Sequence, residues 1–171
     1  MSDLEALGLD IDNPVLGIFG TKSFVNPAKG EMSEDRRRVL RKLVTVLKQI
    51  SPVTTYITPE GKTGMVIIKI LQALGIPYTI VLPCRNYFTG LTYYHRNKME
   101  YILEKSSSIV LLSEETKNLK NVSRLRDDAE NFILERADLL ISVYGRTVSK
   151  RYKNLNKKLN NLEADVIFLN Y

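Results

Sequence analysis

The segment from Thr58 to Gly64, TPEGKTG, concentrates the residues of this chain best suited to binding chemistry. It follows an apolar run typical of a buried strand, Val53–Ile57, and precedes a helical pattern, Met65–Leu74. In a parallel α/β sheet this position is the ligand site, because unpaired N–H groups at the start of the helix favour an anion. The segment therefore predicts an anion site, where Glu60 could accept ribose hydroxyls or act as a general base. Glu60 is equally compatible with an exposed turn residue.

The tripeptide Gly61-Lys62-Thr63 is similar to the end of a Walker A loop, the phosphate-binding loop of many ATPases. That motif needs another glycine five positions before Gly61, where this chain has Tyr56. Tyr56 also falls inside the predicted strand. The sequence therefore argues against a P-loop NTPase.

Two further turns carry similar residue types at the ends of other apolar runs. Gly17–Thr21 closes the first run, and its glycines permit a tight turn that suits a phosphate or ribose edge. Tyr144–Thr147 follows the fifth run, where Arg146 could clamp a phosphate and Thr147 is a natural N-cap. Because parallel strands end at one sheet edge, we expect the three turns to border one crevice. Both turns are also compatible with ordinary turn chemistry.

The remaining chemical candidates are weaker. Residues 82–86 lead into Tyr87, Phe88, Tyr93 and Tyr94, on which a base could stack, although such aromatics more often pack in a core. His95 is the sole histidine and Cys84 the sole cysteine, so neither a Ser-His-Asp nor a Cys-His arrangement is legible.

The acidic residues do not form a convincing metal site. Asp127, Asp128, Glu130 and Glu135 fall in one predicted helix and are best explained as its polar face, while Asp138 begins a strand. With one histidine and one cysteine, a structural zinc site is also disfavoured. We therefore expect neither a metal nor a cofactor.

Length and composition indicate an ordinary globular domain. The chain has 171 residues, 44% apolar and 26% charged, and no apolar run approaches the roughly 20 residues needed to cross a bilayer. The first residues lack the pattern of a secretory signal, and a single cysteine fits a reducing compartment. We expect a cytoplasmic protein without membrane association.

The net charge of +6 is concentrated in two predicted helices. The basic residues are Arg36, Arg37, Arg38, Arg41, Lys42 and Lys48 in one, and Lys150, Arg151, Lys153, Lys157 and Lys158 in the other. They could meet a phosphate-rich partner, a nucleotide or a nucleic acid. They could equally be the solvated faces of amphipathic helices.

Six short, β-branched runs alternate with helical patterns along the chain. The runs are Val15–Phe19, Val53–Ile57, Tyr78–Leu82, Ser108–Leu112, Leu139–Val143 and Val166–Leu169. Most are nearly all apolar, as expected for strands covered on both faces. Alternation of this kind predicts a Rossmann-like, three-layer α/β/α fold with a mainly parallel sheet of five to six strands. Residues 1–13 would form an arm and residues 14–171 a single domain.

The helical patterns have recognisable ends and apolar stripes. The first helix would be capped by Ser33 and would bury Leu40, Leu43, Val44 and Leu47. The second would stop at Gly75. The least regular of the predicted helices covers Leu91–Glu104. The apolar stripes of the two helices after it are Leu125, Ala129, Phe132 and Ile133 in the first, and Val148, Tyr152, Leu155, Leu159 and Leu162 in the second.

The turn motifs, together with the strand IPYTIVLP and the segment ERADLLISVYG, resemble the SLOG superfamily of Rossmann-like proteins. The YpsA-like branch is the most similar from about Pro14 onwards, followed by the Lonely Guy and DNA-processing protein A families. Lonely Guy enzymes carry Pro-Gly-Gly-x-Gly-Thr-x-x-Glu, whereas this chain has Gly145-Arg146-Thr147 and then Lys150 at the glutamate position. YpsA-like members often have Arg-Asn where this chain has Ala129-Glu130.

The resemblance implies a protein that binds or senses a nucleotide or nucleotide-derived molecule, and it makes a homo-oligomer an expectation. One alternative is a nucleoside-monophosphate N-glycosidic hydrolase with Glu60 as the catalytic residue. Another is weak, non-specific nucleic-acid binding through the basic helices. Base and ribose would meet Thr21, Glu60 and Tyr144, and Lys62 or Arg146 would neutralise the phosphate. The full predicted binding set is Gly17, Gly20, Thr21, Lys22, Thr58, Glu60, Gly61, Lys62, Thr63, Gly64, Pro83, Tyr144, Gly145, Arg146 and Thr147.

Overall fold

Strands and helices alternate throughout the described part of the chain. The computed structural model describes residues 12–20, 34–59, 61–88, 92–144 and 150–170. The strands are β1 (Val15–Gly20), β2 (Thr54–Ile57), β3 (Tyr78–Leu82), β4 (Ser108–Leu111), β5 (Leu139–Tyr144) and β6 (Asp165–Asn170). The helices are α1 (Glu34–Ile50), α2 (Gly61–Ala73), α3 (Tyr93–Lys105), α4 (Val122–Arg136) and α5 (Lys150–Asn160).

The six strands form one parallel sheet in the order β4-β3-β2-β1-β5-β6. From β1 to β4 the chain moves outward in one direction, and then it crosses back to place β5 on the other side of β1. Leu16 of β1 lies in register with Leu139 of β5, and Val15 with Thr54 of β2. The strand order therefore reverses between β1 and β5, which is where such sheets open a crevice for a ligand.

The helices cover both faces of the sheet. Leu16 and Ile18 of β1 share one core with residues of α1, α2 and α3, whereas Phe19 shares a second core with residues of α4 and α5. The predicted Rossmann-like α/β/α architecture is confirmed. Among the described helices, none is long and apolar enough to cross a membrane.

Most predicted strand ends agree with the structure to within a residue or two. The run Tyr78–Leu82 is β3 without change, and β2 begins at Thr54 because Val53 is exposed. Gly75, predicted to follow a helix, has the left-handed φ of +66° after α2. Thr92 caps α3 by accepting a hydrogen bond from the backbone N–H of His95.

Three local predictions need correction. In α1 the buried residues are Val39, Leu43, Val46, Leu47 and Ile50, whereas the predicted Leu40 and Val44 are only partly buried, so the buried face is rotated from the predicted stripe. Leu162 lies beyond the end of α5 and is 37% exposed. Asp138 precedes β5, where its Oδ2 accepts a hydrogen bond from the backbone N–H of Val15 at 2.9 Å.

Two polar groups tie the sheet together. The Tyr78 hydroxyl donates to the carbonyl oxygen of Ile102 in α3, at 2.9 Å, and accepts from Gln72 Nε2, also at 2.9 Å. Burial raises the pKa of Tyr78, partly offset by the hydrogen bond from Gln72. The Thr79 hydroxyl lies 3.2 Å from that of Thr54 and 2.8 Å from that of Ser108, which links three adjacent strands.

Candidate functional site

A crevice opens above the carboxyl ends of β1, β2 and β3, at the reversal of strand order. Its cavity volume is about 30 Å³. The lining residues are Ile18, Phe19, Gly20, Ile57, Thr58, Gly64, Ile67, Pro83, Tyr87, Arg126, Ala129, Glu130, Arg151 and Leu155.

One side of the crevice, formed by Gly20, Thr58 and Gly64, is the glycine wall. A Cβ atom on Gly20 would lie 2.4 Å from Thr63 Cγ2, so only glycine lets the first turn of α2 pack this closely against β1. A Cβ atom on Gly64 would lie 3.1 Å from the carbonyl oxygen of Thr58. Both glycines therefore allow close packing around the first turn of α2, at the edge of the crevice.

Behind this wall, the Thr63 side chain is fully buried in the first turn of α2. Its hydroxyl has no hydrogen-bond partner among the described residues, and the same is true of Thr55 in β2. Leaving a buried hydroxyl unpaired costs about 1–3 kcal/mol. Thr63 is therefore an unsatisfied polar group at the helix end that faces the crevice region.

The opposite side, formed by Arg126, Glu130 and Arg151 of α4 and α5, is the cation wall. Glu130 is only 6% exposed. Its Oε2 accepts from Arg151 Nη2 at 3.4 Å, and its Oε1 accepts from Lys158 Nζ at 3.2 Å. The prediction that Glu130 belongs to the polar face of its helix is wrong, because Glu130 turns inward to these two cations.

The other acidic residues of that helix behave as predicted. Asp128 and Glu135 are exposed, and Asp127 is half-buried. Asp127 Oδ1 lies 3.8 Å from Nη1 of Arg151, the residue that also pairs with Glu130. No group of three or more metal-ligating side chains occurs within the described ranges.

Arg126 belongs to a second small network on the cation wall. Its Nε donates to the Tyr87 hydroxyl at 3.2 Å, and Tyr87 is buried. Lys117 Nζ donates to the Tyr87 carbonyl oxygen at 2.5 Å and lies 5.0 Å from the centre of the Tyr87 ring. Tyr87 is therefore held at the crevice by contacts on several sides.

The structure brings four of the predicted binding residues into the crevice: Gly20, Thr58, Gly64 and Pro83. Gly61 and Lys62 form the start of α2, directly before Thr63. The remaining predicted positions Thr21, Lys22, Glu60, Gly145, Arg146 and Thr147 lie outside the described residues.

Gly17 and Tyr144 do not line the crevice. A Cβ atom on Gly17 would lie 2.6 Å from Ile133 Cγ2 and 2.8 Å from Leu140 Cδ2, so this glycine allows α4 to pack on β1. The Tyr144 ring packs edge-on against Phe168 at 6.2 Å between centroids. Their described contacts are those of packing residues.

The aromatic segment predicted for base stacking is divided by the fold. Tyr87 lines the crevice and contacts Phe88 edge-on at 5.4 Å, whereas Tyr93 and Tyr94 are exposed on α3. His95 is exposed, as expected for a surface residue, and Cys84 is fully buried.

Many of the basic side chains predicted for a phosphate-rich partner have acidic neighbours. In α1, Arg37 and Arg41 pair with Glu34, and Arg38 pairs with Asp35. Such exposed pairs contribute little to stability. They do reduce the positive field of that helix, as the Glu130 contacts do for α5.

Sequence reasoning missed Arg126, and it named Arg151 and Glu130 without placing them at the crevice. A signal was present, because Glu130 follows Ala129 and precedes Ile133 in the middle of an apolar stripe. Arg151 similarly stands one helical turn before Leu155, which is buried. A charged residue inside an apolar stripe often has a buried partner.

These features define a Rossmann-like α/β/α protein with a crevice of the ligand-binding type at its strand-order reversal. Neither protein-family models nor curated proteins match the sequence. The resemblance to the SLOG superfamily stays a prediction from the turn motifs.

Proposed function

We propose that this protein binds a nucleotide or nucleotide-derived small molecule in the crevice between the glycine wall and the cation wall. The observation that carries the proposal is that these two walls border one crevice. Glycine-bearing and guanidinium-bearing surfaces lie together at the carboxyl edge of a parallel sheet.

The crevice offers the types of contact that a nucleotide needs. Gly20 and Gly64 line the crevice beside the start of α2, where the helix dipole favours negative charge. Arg126 and Arg151 supply guanidinium groups, which bind phosphate with a planar fork of donors. Apolar side chains such as Ile57 complete the lining and suit the faces of a base.

Binding is favoured over hydrolysis by the state of the described carboxylate. Glu130 is the acidic residue that lines the crevice within the described ranges, and both of its oxygens accept hydrogen bonds from cations. A carboxylate so engaged is a poor general acid or base. The hydrolase alternative therefore keeps Glu60, which lies outside the described residues, as its catalytic residue.

The proposal is tested by thermal shift and calorimetry with nucleosides, nucleoside monophosphates and diphosphates, cyclic nucleotides and ADP-ribose. A ligand present at a hundred times its Kd stabilises by about 2.7 kcal/mol, which raises the Tm of a chain of this size by roughly 5–11 °C. Absence of stabilisation by every compound at millimolar concentration would overturn the proposal.

A pair of variants locates the site. Thr58→Phe adds a ring to the half-buried lining of the crevice and should abolish binding. Thr45→Phe makes the same change on the exposed face of α1 and should leave binding unchanged. Equal Kd values for the two variants would place the ligand elsewhere. Release of free base that is abolished by Glu60→Gln would instead support hydrolysis.

A further inference from the structure

We infer that Arg151 contacts the anionic group of the ligand and that buried Glu130 is the positioning residue for Arg151. The inference rests on the proposed function, because it names where the phosphate of a nucleotide would lie. The starting observation is the ion cluster between α4 and α5, a region outside the three turns predicted from the sequence.

The geometry of the cluster holds two cations with one carboxylate. The Glu130 side chain is 7% exposed, and its two oxygens accept from different residues, Arg151 at 3.4 Å and Lys158 at 3.2 Å. Arg151 and Lys158 lie about two helical turns apart on α5, with Leu155 buried between them. One buried side chain therefore fixes two turns of α5 against α4.

Burial makes these contacts obligatory for Glu130. Removing a carboxylate from water costs several kcal/mol unless it is paired with cations and hydrogen-bonded. If Arg151 moved away, the buried Glu130 would lose one of its two cation partners at that cost. The Arg151 guanidinium is therefore held at one place on the crevice wall. A guanidinium carries more N–H donors than one such contact uses, which leaves donors for a ligand.

Arg151 is also positioned to reach solvent. Its side chain is 31% exposed and lines the crevice beside Glu130, whose side chain is nearly buried. Asp127 is the second acidic neighbour, at 3.8 Å and with a side chain 50% exposed, so it contributes charge but little restraint. Asp127 thus affects Arg151 mainly through its charge, whereas Glu130 also fixes its position. A comparison of variants at the two residues provides the test.

The experiment compares Glu130→Gln with Asp127→Asn, since each removes one negative charge beside Arg151. The probes are a nucleoside and its monophosphate, measured by calorimetry. If Glu130 positions Arg151, Glu130→Gln weakens monophosphate binding about tenfold, although the wall becomes more positive. Asp127→Asn should give equal or tighter binding, and nucleoside affinity should be unchanged in both. Tighter monophosphate binding by both variants would overturn the positioning role.

Two further variants keep the inference falsifiable if Glu130→Gln does not fold. Glu130→Asp retains the charge but shortens the side chain. A positioning role predicts weaker monophosphate binding by this variant, whereas a charge effect alone predicts unchanged binding. Arg151→Gln should strongly reduce the difference in affinity between monophosphate and nucleoside. If that difference persists, Arg151 is not the anion contact, although the proposed function stands.

A readout without ligand completes the design. Nitrogen NMR relaxation should find the Arg151 side chain ordered in the wild type and in Asp127→Asn but mobile in Glu130→Gln. An equally ordered side chain in all three would contradict positioning by Glu130. If the wild type binds none of the compounds of the nucleotide screen, the proposed function fails and the anion contact fails with it.

Discussion

The unpaired hydroxyl of Thr63 leads to an unusual expectation, that a substitution at the candidate site stabilises the protein. Thr63→Val replaces the hydroxyl with a methyl group of similar shape at a fully buried position. Thr55→Val makes the same change in β2, at a second buried hydroxyl without a partner among the described residues. Thr79→Val is the matched control, because its hydroxyl contacts those of Thr54 and Ser108.

The magnitude follows from the cost of an unpaired buried hydroxyl, about 1–3 kcal/mol. Valine and threonine have nearly equal helix propensities, so the change in the α2 turn adds little of its own. We expect Thr63→Val to raise the free energy of unfolding by about 1–2 kcal/mol, or the Tm by roughly 2–8 °C. Thr55→Val should have the same sign, whereas Thr79→Val should destabilise by about 0.5–1.5 kcal/mol.

Urea denaturation and calorimetric Tm values of the three variants, measured beside the wild type, provide the assay. A fall in stability for Thr63→Val as large as that for Thr79→Val would refute the reasoning, since it would mean that the Thr63 hydroxyl is paired. If Thr63 serves the ligand, Thr63→Val should also reduce the ligand-induced Tm shift, and Thr55→Val should not.

Three further predictions concern packing and titration. Gly20→Ala should destabilise the protein by about 1–3 kcal/mol through overpacking. In denaturant curves, adding Thr63→Ser, which removes the methyl group in the way of the new side chain, should restore most of that loss. Wild-type stability of the single variant Gly20→Ala would contradict the close packing. Tyr78→Phe should cost about 1–3 kcal/mol. Because the folded pKa of Tyr78 is raised above 10.0, its phenol stabilises the fold fully below pH 10.0, and this contribution falls as the pH rises further. The stability of the phenylalanine variant should therefore depend less on alkaline pH than that of the wild type. The same pH dependence in both proteins would argue against this role of Tyr78. The hydrogen bond and charge of Lys98 lower the pKa of Tyr94, so Lys98→Met should raise it in a tyrosinate titration, and an unchanged midpoint would dismiss the contact.

The fold was readable from the sequence because β1, β3 and β5 are buried along almost their whole length. A strand such as Tyr78–Leu82 is buried along its whole length, and it therefore stands out as an uninterrupted apolar run between turn residues. The parallel arrangement then places the strand ends at one edge, which is why Gly20, Thr58 and Gly64 were correctly expected to lie together.

The rest of the site depends on which way side chains point. Gly17 and Gly20 occur in one motif but lie three residues apart on a strand, so they face opposite sides of the sheet, one toward α4 and one toward α2. The contact between Glu130 and Arg151 depends on the rotation of two helices about their axes. That rotation is decided by packing across the whole core.

The central position of β1 has a consequence for how the chain folds during synthesis. β1 pairs with β2 and β5, and the hydrogen bond from Val15 to Asp138 spans 123 residues. At about 5–20 residues per second, several seconds of translation separate the two neighbours of β1. During that interval the side of β1 later covered by α4 has no partner, and closing so long a loop slows the final pairing. The cation wall, which is carried by α4 and α5, is therefore synthesised after the glycine wall is complete.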